Sequence, residues 1–253
     1  MTGDTTLDRV MPLLERHFGS WHAPATARPS KALPASAAAA TATRVFLIDK
    51  PDAIQSNILV GRLTPSSRAP NRLELETMND VIGGTFTSRL NMNLREDKHW
   101  SYGVRSSLPD ARGQRPWLLS SPVQTDKTLE AIAEIRKELG DFVGGRPATS
   151  DEIAKVRNRD VRSLSGRYET NAAVSGAITD MVVFERPDDY VRTLKTQIES
   201  QTDEAVRAAA TEALGPGPYT WVVIGDLRKI EAPIRALALG DVKVIDADGK
   251  ILR

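Results

Sequence analysis

Arg95 and Tyr102 lie seven positions apart in a chain of 253 residues, and their types could do one kind of chemistry. A guanidinium brings a permanent positive charge with several fixed donors, and a phenol brings one directed donor. Such a pair can hold or polarise an oxygen atom; it supplies neither a nucleophile nor a general base. On residue type alone, an Arg on an amphipathic helix reads as a solvated or ion-paired surface group. A Tyr opening a strand reads as a residue at the rim of a core.

The elements that must position them lie within Met78–Leu108. Leu73, Leu75, Met78, Val81 and Ile82 follow a helical period over 71–82, which stops at Gly83-Gly84, the usual exit from a helix. A second helix runs through Leu90, Asn93, Leu94 and Asp97, with Thr87 or Ser88 as its cap. From Ser101 the period becomes two, which places Tyr102, Val104, Ser106 and Leu108 on one face of a strand. Arg95 therefore falls near the end of a helix and Tyr102 at the start of the following strand.

Other chemistries find little support. There is no cysteine, so disulfides and thiolate sites are excluded. No Gly-x-Ser-x-Gly elbow occurs, and Gly83-Gly84 lacks the Lys-Ser/Thr of a phosphate loop. Glu96, Asp97 and Asp110 read as charged turn residues. A net charge of +1 offers no argument for nucleic acid or an anionic membrane. No apolar run approaches the roughly 20 residues of a membrane span. The first twenty residues are amphipathic, unlike a signal peptide.

The remaining chain reads as α+β. Leu7, Val10, Met11, Leu14 and Phe18 form the apolar face of a short helix that ends at Gly19 and has nothing local to cover it. An Ala/Pro/Ser/Thr-rich stretch over 20–43 reads as an extended surface linker. Strand patterns at 44–48 and 54–63 flank a turn at Lys50-Pro51-Asp52, and a further strand runs from Trp117 to Gln124. These strands read as antiparallel. Helices follow over 126–142, from a capping box at Thr149-Ser150-Asp151-Glu152 through Leu164, and over 171–184, 188–198 and 202–214. A β-branched strand at 219–225, a helix at 227–239 and a strand at 242–245 close the chain. The expected fold is one antiparallel-dominated sheet covered by helices on one face, preceded by a helix and a linker. The expected divisions are 1–19, 20–43 and 44–253.

Gly83, Gly84, Phe86, Ser88, Arg89 and Leu90, then Asn93-Leu94-Arg95-Glu96, then Tyr102-Gly103 resemble the C-terminal half of the insulinase/pitrilysin/mitochondrial-processing-peptidase family of zinc peptidases. A cutting member of that family needs a His-x-x-Glu-His helix, with two His on one face for zinc and Glu as base. Only His17, His22 and His99 occur here, and no two have that spacing. The resemblance therefore implies a half without a metal site of its own, with zinc carried by an absent N-terminal half or a partner. It also implies that Arg95 and Tyr102 support catalysis at the substrate carbonyl or oxyanion, and that Gly83, Gly84 and Phe86 bind substrate. His99 and Trp100 receive no role.

Gly3-Asp4 before the first helix echoes Gly225-Asp226 before a later one. In the resembled family two homologous halves each close on such a helix. By that analogy residues 1–19 close an absent first half, and the expected partners are a zinc-bearing half and a peptide. The alternatives are a zinc-free partner subunit of a two-chain peptidase and a structural subunit like the peptidase-related core proteins of respiratory complexes. A peptide-binding module using a free sheet edge is a third. Bacterial cytoplasm and periplasm both remain open.

Overall fold

The computed structural model describes residues 2–26 and 40–253. Most of the expected linker, 27–39, lies outside the described residues. The first helix, α1 (Leu7–Phe18), forms as its periodicity predicts, and none of its residues is buried. Leu7, Leu13 and Phe18 stay exposed. The apolar face that needed a cover has none among the described residues.

Among the described residues, six strands make a single sheet in the order β3-β4-β2-β5-β1-β6. They are β1 (Arg44–Asp49), β2 (Gln55–Thr64), β3 (Arg105–Ser107), β4 (Arg115–Gln124), β5 (Thr220–Gly225) and β6 (Asp241–Ile245). β2 runs antiparallel to both β4 and β5, and β3 antiparallel to β4. The sheet is antiparallel-dominated as expected, with β1 as the exception: it lies parallel to β5 and to β6. The helix α9 (Leu227–Ala236) carries the chain past β1 from β5 to β6, the kind of crossover that strands of one direction require.

Burial follows the two-residue period of a pleated strand. Val45, Leu47, Ile58, Val60, Trp117, Leu119, Trp221 and Val223 point to one face, and all are buried. That face is covered by α2 (Arg72–Asn79), α4 (Thr128–Val143), α8 (Asp203–Leu214) and α9. α5 (Ser150–Ser163) and α7 (Tyr190–Glu199) form a further layer beyond α2. α6 (Asn171–Val183) has no buried residue and meets the α7 cluster of Tyr190, Leu194 and Ile198 through Met181. The opposite sheet face, with Leu59, Leu63, Leu118 and Val222, lines a broad groove that no helix covers among the described residues.

Local signals explain the ends of these helices. Thr149 Oγ1 accepts from the Glu152 N–H at 3.2 Å, and the Glu152 carboxylate accepts from the Thr149 N–H at 2.8 Å, so the expected capping box is complete. Asp226 caps α9, accepting from the Arg228 N–H at 3.2 Å and from Arg228 Nε at 2.9 Å. The hydrogen bonds from Arg228 pull the Asp226 carboxyl down to about 2. A depressed carboxyl stabilises the fold above the ordinary carboxylate range, and that contribution disappears as the pH falls toward its folded value. Asp226→Asn is therefore expected to lower stability at neutral pH and to flatten the loss between pH about 4 and 2. Denaturant melts across that range check it; an unchanged acid limb would contradict it.

Candidate active-site half

The segment after α2 departs from a plain α-helix twice. α2 continues as a π-helical turn, Asp80–Gly84, and then breaks to extended backbone at Thr85. A short helix, α3 (Arg89–Asn91), continues as a second π-helical stretch, Met92–Asp97, which carries Arg95. π-turns of this kind concentrate at functional sites. Ser88 stands at the N-cap position with extended backbone, although its side chain makes no capping bond.

The glycine pair has an internal reason to be there. A Cβ on Gly83 would collide with Ser106, and one on Gly84 with Asp80 and Asn79. The close approach to Ser106 seats the π-turn on β3. Asn79 Oδ1 accepts from Ser106 Oγ at 2.7 Å and from Trp117 Nε1 at 3.0 Å, fixing the turn to two strands. Gly83→Ala is expected to cost about 1–3 kcal/mol by overpacking, measured as a shift in denaturation midpoint. Normal stability with impaired substrate binding would instead place this glycine's role at the substrate.

The second π-stretch is followed by His99, whose φ of 57° is left-handed. Its N–H reaches the Arg95 carbonyl at 3.2 Å, and the Trp100 N–H reaches the Leu94 carbonyl at 3.0 Å. This is a left-handed helix end made without glycine. It turns the chain back so that Tyr102 returns to the cleft that Arg95 lines.

Tyr102 does not share a face with Val104 and Ser106 as the two-residue period predicted. Ser101 makes one isolated bridge to Val123, the chain bends at Tyr102, and the strand begins only at Arg105. Val104 and Ser106 are buried, whereas Tyr102 is 87 % exposed. The bend is held by Ser101 Oγ, which accepts from the Gly103 N–H at 3.1 Å and donates to the Pro122 carbonyl at 2.5 Å.

Arg95 and Tyr102 line the same cleft, of about 330 Å³, with Gln55, Glu96, His99, Trp100 and Gln124. The Arg95 guanidinium sits 4.6 Å from the centre of the Phe86 ring, a cation–π contact that orients it. Its Nε lies 3.4 Å from the Glu96 carboxylate, in a pair exposed on both sides. Phe86 is 54 % exposed. Among the described residues nothing takes up the Tyr102 hydroxyl. The cleft thus offers a cation with spare donors and a free phenol, and the hydroxyl of Ser101 in its lining is spent on the Pro122 carbonyl; the Phe86 ring lies against the guanidinium, outside the residues that line the cleft. Gly83 and Gly84 lie apart from this cleft, in the π-turn that precedes Phe86.

Sequence reasoning gave no part to Gln55, His99, Trp100 or Gln124. His99 carried no turn signal in the helical pattern that precedes it. Gln124 ties one wall of the cleft to another: its Nε2 donates to the His99 carbonyl at 3.3 Å. Asp110, an acid/base candidate by type, accepts from Ser67 Oγ at 2.6 Å and from Arg115 at 3.2 Å, a structural pairing. Among the described residues, no group of three or more His, Cys, Asp or Glu could hold a metal ion. The donor set of these residues does not fit a catalytic zinc.

Comparison with known proteins bears on the family and the fold. The family profile described as peptidase M16 inactive domain matches residues 1–159. An uncharacterized zinc protease of Mycobacterium leprae is 24 % identical over 233 residues, covering 87 % of this chain and 50 % of that protein. The chain thus spans about half the length of the curated relative it matches. A protease from Helicobacter pylori superposes with a TM-score of 0.75 at 18 % identity, over 88 % of this chain and 54 % of its own. A chain of complex III₂ from Candida albicans superposes with a TM-score of 0.70 at 11 % identity, over 90 % and 54 %. By its profile match, which covers more than half its residues, the chain belongs to the peptidase M16 inactive-domain family.

Proposed function

We propose that this chain is the substrate-holding, metal-free half of a zinc metalloendopeptidase. The observation that carries the reading is the shared cleft of Arg95 and Tyr102. Two donors of different strength, one charged and one neutral, face a single space with no acceptor bound to the phenol. They suit the carbonyl oxygen of an extended peptide, and they gain strength as that oxygen becomes negative in a transition state. Phe86 both steadies Arg95 and offers an apolar surface to a substrate side chain. Gly83 and Gly84 serve this reading from outside the cleft, by letting the turn that leads to Phe86 seat closely on Ser106 and Asp80. No hydrolytic step falls to these residues: the water and its activation belong to a homologous zinc-bearing half or subunit.

The test is reconstitution. The purified chain, supplied with zinc and a peptide mixture, is expected to bind less than stoichiometric metal and to hydrolyse nothing. Addition of a zinc-bearing homologous half should produce chelator-sensitive cleavage. Zinc-dependent hydrolysis by the chain alone would overturn the reading. A second reading, a structural subunit, is favoured by the likeness to a complex III₂ chain. It predicts stable association with a partner and no change in the partner's peptidase activity.

A further inference from the structure

The loop that steadies Arg95 and the segment that carries Tyr102 are separate, and one buried amide joins them. Asn91 is 3 % exposed. Its Nδ2 donates to the Phe86 carbonyl at 2.6 Å, and its Oδ1 accepts from the Val104 N–H at 2.9 Å. The first bond holds the loop whose ring lies under the Arg95 guanidinium. The second holds the segment that leaves Tyr102, with Gly103 close above the same Oδ1. Both ends of one rigid planar group are therefore spent on backbone, one on the Phe86 loop and one on the segment that follows Tyr102.

We propose that Asn91 is a positioning residue that sets the separation and aim of Arg95 and Tyr102. The inference deepens the substrate-holding reading above and rests on it for its catalytic consequence. The amide is suited to the task because it has a donor and an acceptor on one short, stiff side chain. Asp keeps the acceptor for Val104 but turns a carboxylate oxygen toward the Phe86 carbonyl. Leu fills the space and satisfies neither group, leaving two buried backbone groups unpaired. Tyr102 retains a second anchor through Ser101. The Phe86 loop is tied back on its other side by Thr85 Oγ1, which donates to the Asp80 carbonyl at 3.1 Å. Removing the Asn91 amide therefore frees the two segments to move relative to one another without cutting either from the fold.

The experiment reads the site directly, on the full chain. In NMR spectra the Arg95 Nε–H carries a ring-current displacement from Phe86, calibrated by Phe86→Leu. Asn91→Asp is expected to remove most of that displacement and to shift the Tyr102 ring signals. Val223→Ala, a destabilising change elsewhere in the core, should leave both unchanged. Unmoved Arg95 and Tyr102 signals in Asn91→Asp would overturn the proposal, whatever the change in stability. Asn91→Leu is the stronger perturbation; Asn91→Asp decides the matter if the Leu variant does not fold. In a complete protease, Asn91→Asp should cost on the order of 10- to 10²-fold in kcat/KM, and clearly less when Arg95 is already Ala, when only the part that acts through Tyr102 remains. An equal loss in both backgrounds would overturn action through Arg95. If Arg95→Ala alone changes no rate, the substrate-holding reading fails, while the NMR result still decides the positioning role.

Discussion

Arg95→Ala, introduced into a complete protease containing this half, is expected to lower kcat/KM on the order of 10²–10³-fold while leaving the domain's stability almost unchanged. The rate effect is the size seen when one preorganised donor to a developing oxyanion is removed. The stability effect is small because Arg95 makes only weak interactions within the fold. The Glu96 pair is exposed on both sides, and such pairs contribute from 0 to about 1 kcal/mol. The stack on Phe86, at an exposed ring, adds about 0.5–1 kcal/mol. Tyr102→Phe should follow the same pattern, since among the described residues its hydroxyl has no partner to lose. A variant that loses activity only in proportion to unfolded protein would place Arg95 among structural residues. Steady-state kinetics beside a denaturant melt separate the outcomes.

The largest effect on stability is expected at Trp117. It is fully buried on the helix-covered face of β4, and its Nε1 donates to Asn79 Oδ1 at 3.0 Å. Trp117→Ala should cost about 3–5 kcal/mol, the range for removing a buried aromatic. It also leaves Asn79 with Ser106 as its remaining partner on that oxygen. The π-turn that carries Gly83 and Gly84 is anchored through Asn79, so its amides should exchange faster with solvent than those of α4. A loss under about 1 kcal/mol by equilibrium denaturation would show that the turn is held by something other than this contact.

Much of the scaffold was legible because it depends on local patterns. The period of Leu129, Ile132, Ile135, Leu139 and Phe142 marked α4, and all but Leu129 are buried. Thr149 and Glu152 announced their capping box. What stayed hidden was of three kinds. The parallel pairing of β1 with β5 and β6 leaves no trace in a short apolar strand, which reads the same whichever way its neighbours run. The π-turns at Asp80–Gly84 and Met92–Asp97 shift the helical period by less than a residue, so they pass as ordinary helix ends. The bend at Tyr102 broke the two-residue period, which had grouped it with Val104 and Ser106. That grouping erred for a physical reason: Ser101 satisfies Gly103 through its side chain, so the backbone there need not pair as a strand.

The site itself was legible only through family resemblance. Residue type alone placed Arg95 and Tyr102 among ordinary surface groups. Their approach depends on the left-handed backbone at His99, where glycine would have signalled a turn more plainly. The tie between the Phe86 loop and the segment that follows Tyr102 depends on Asn91, an amide within a helical run and silent in any periodicity.

The most direct measurement of the central claim places 3-fluorotyrosine at position 102 of the complete protease and follows its ¹⁹F signal as a non-hydrolysable peptide analogue is added. The account predicts a saturable shift that disappears in Arg95→Ala, because the phenol and the guanidinium share one bound carbonyl. A signal that stays fixed while the peptide demonstrably binds would contradict it.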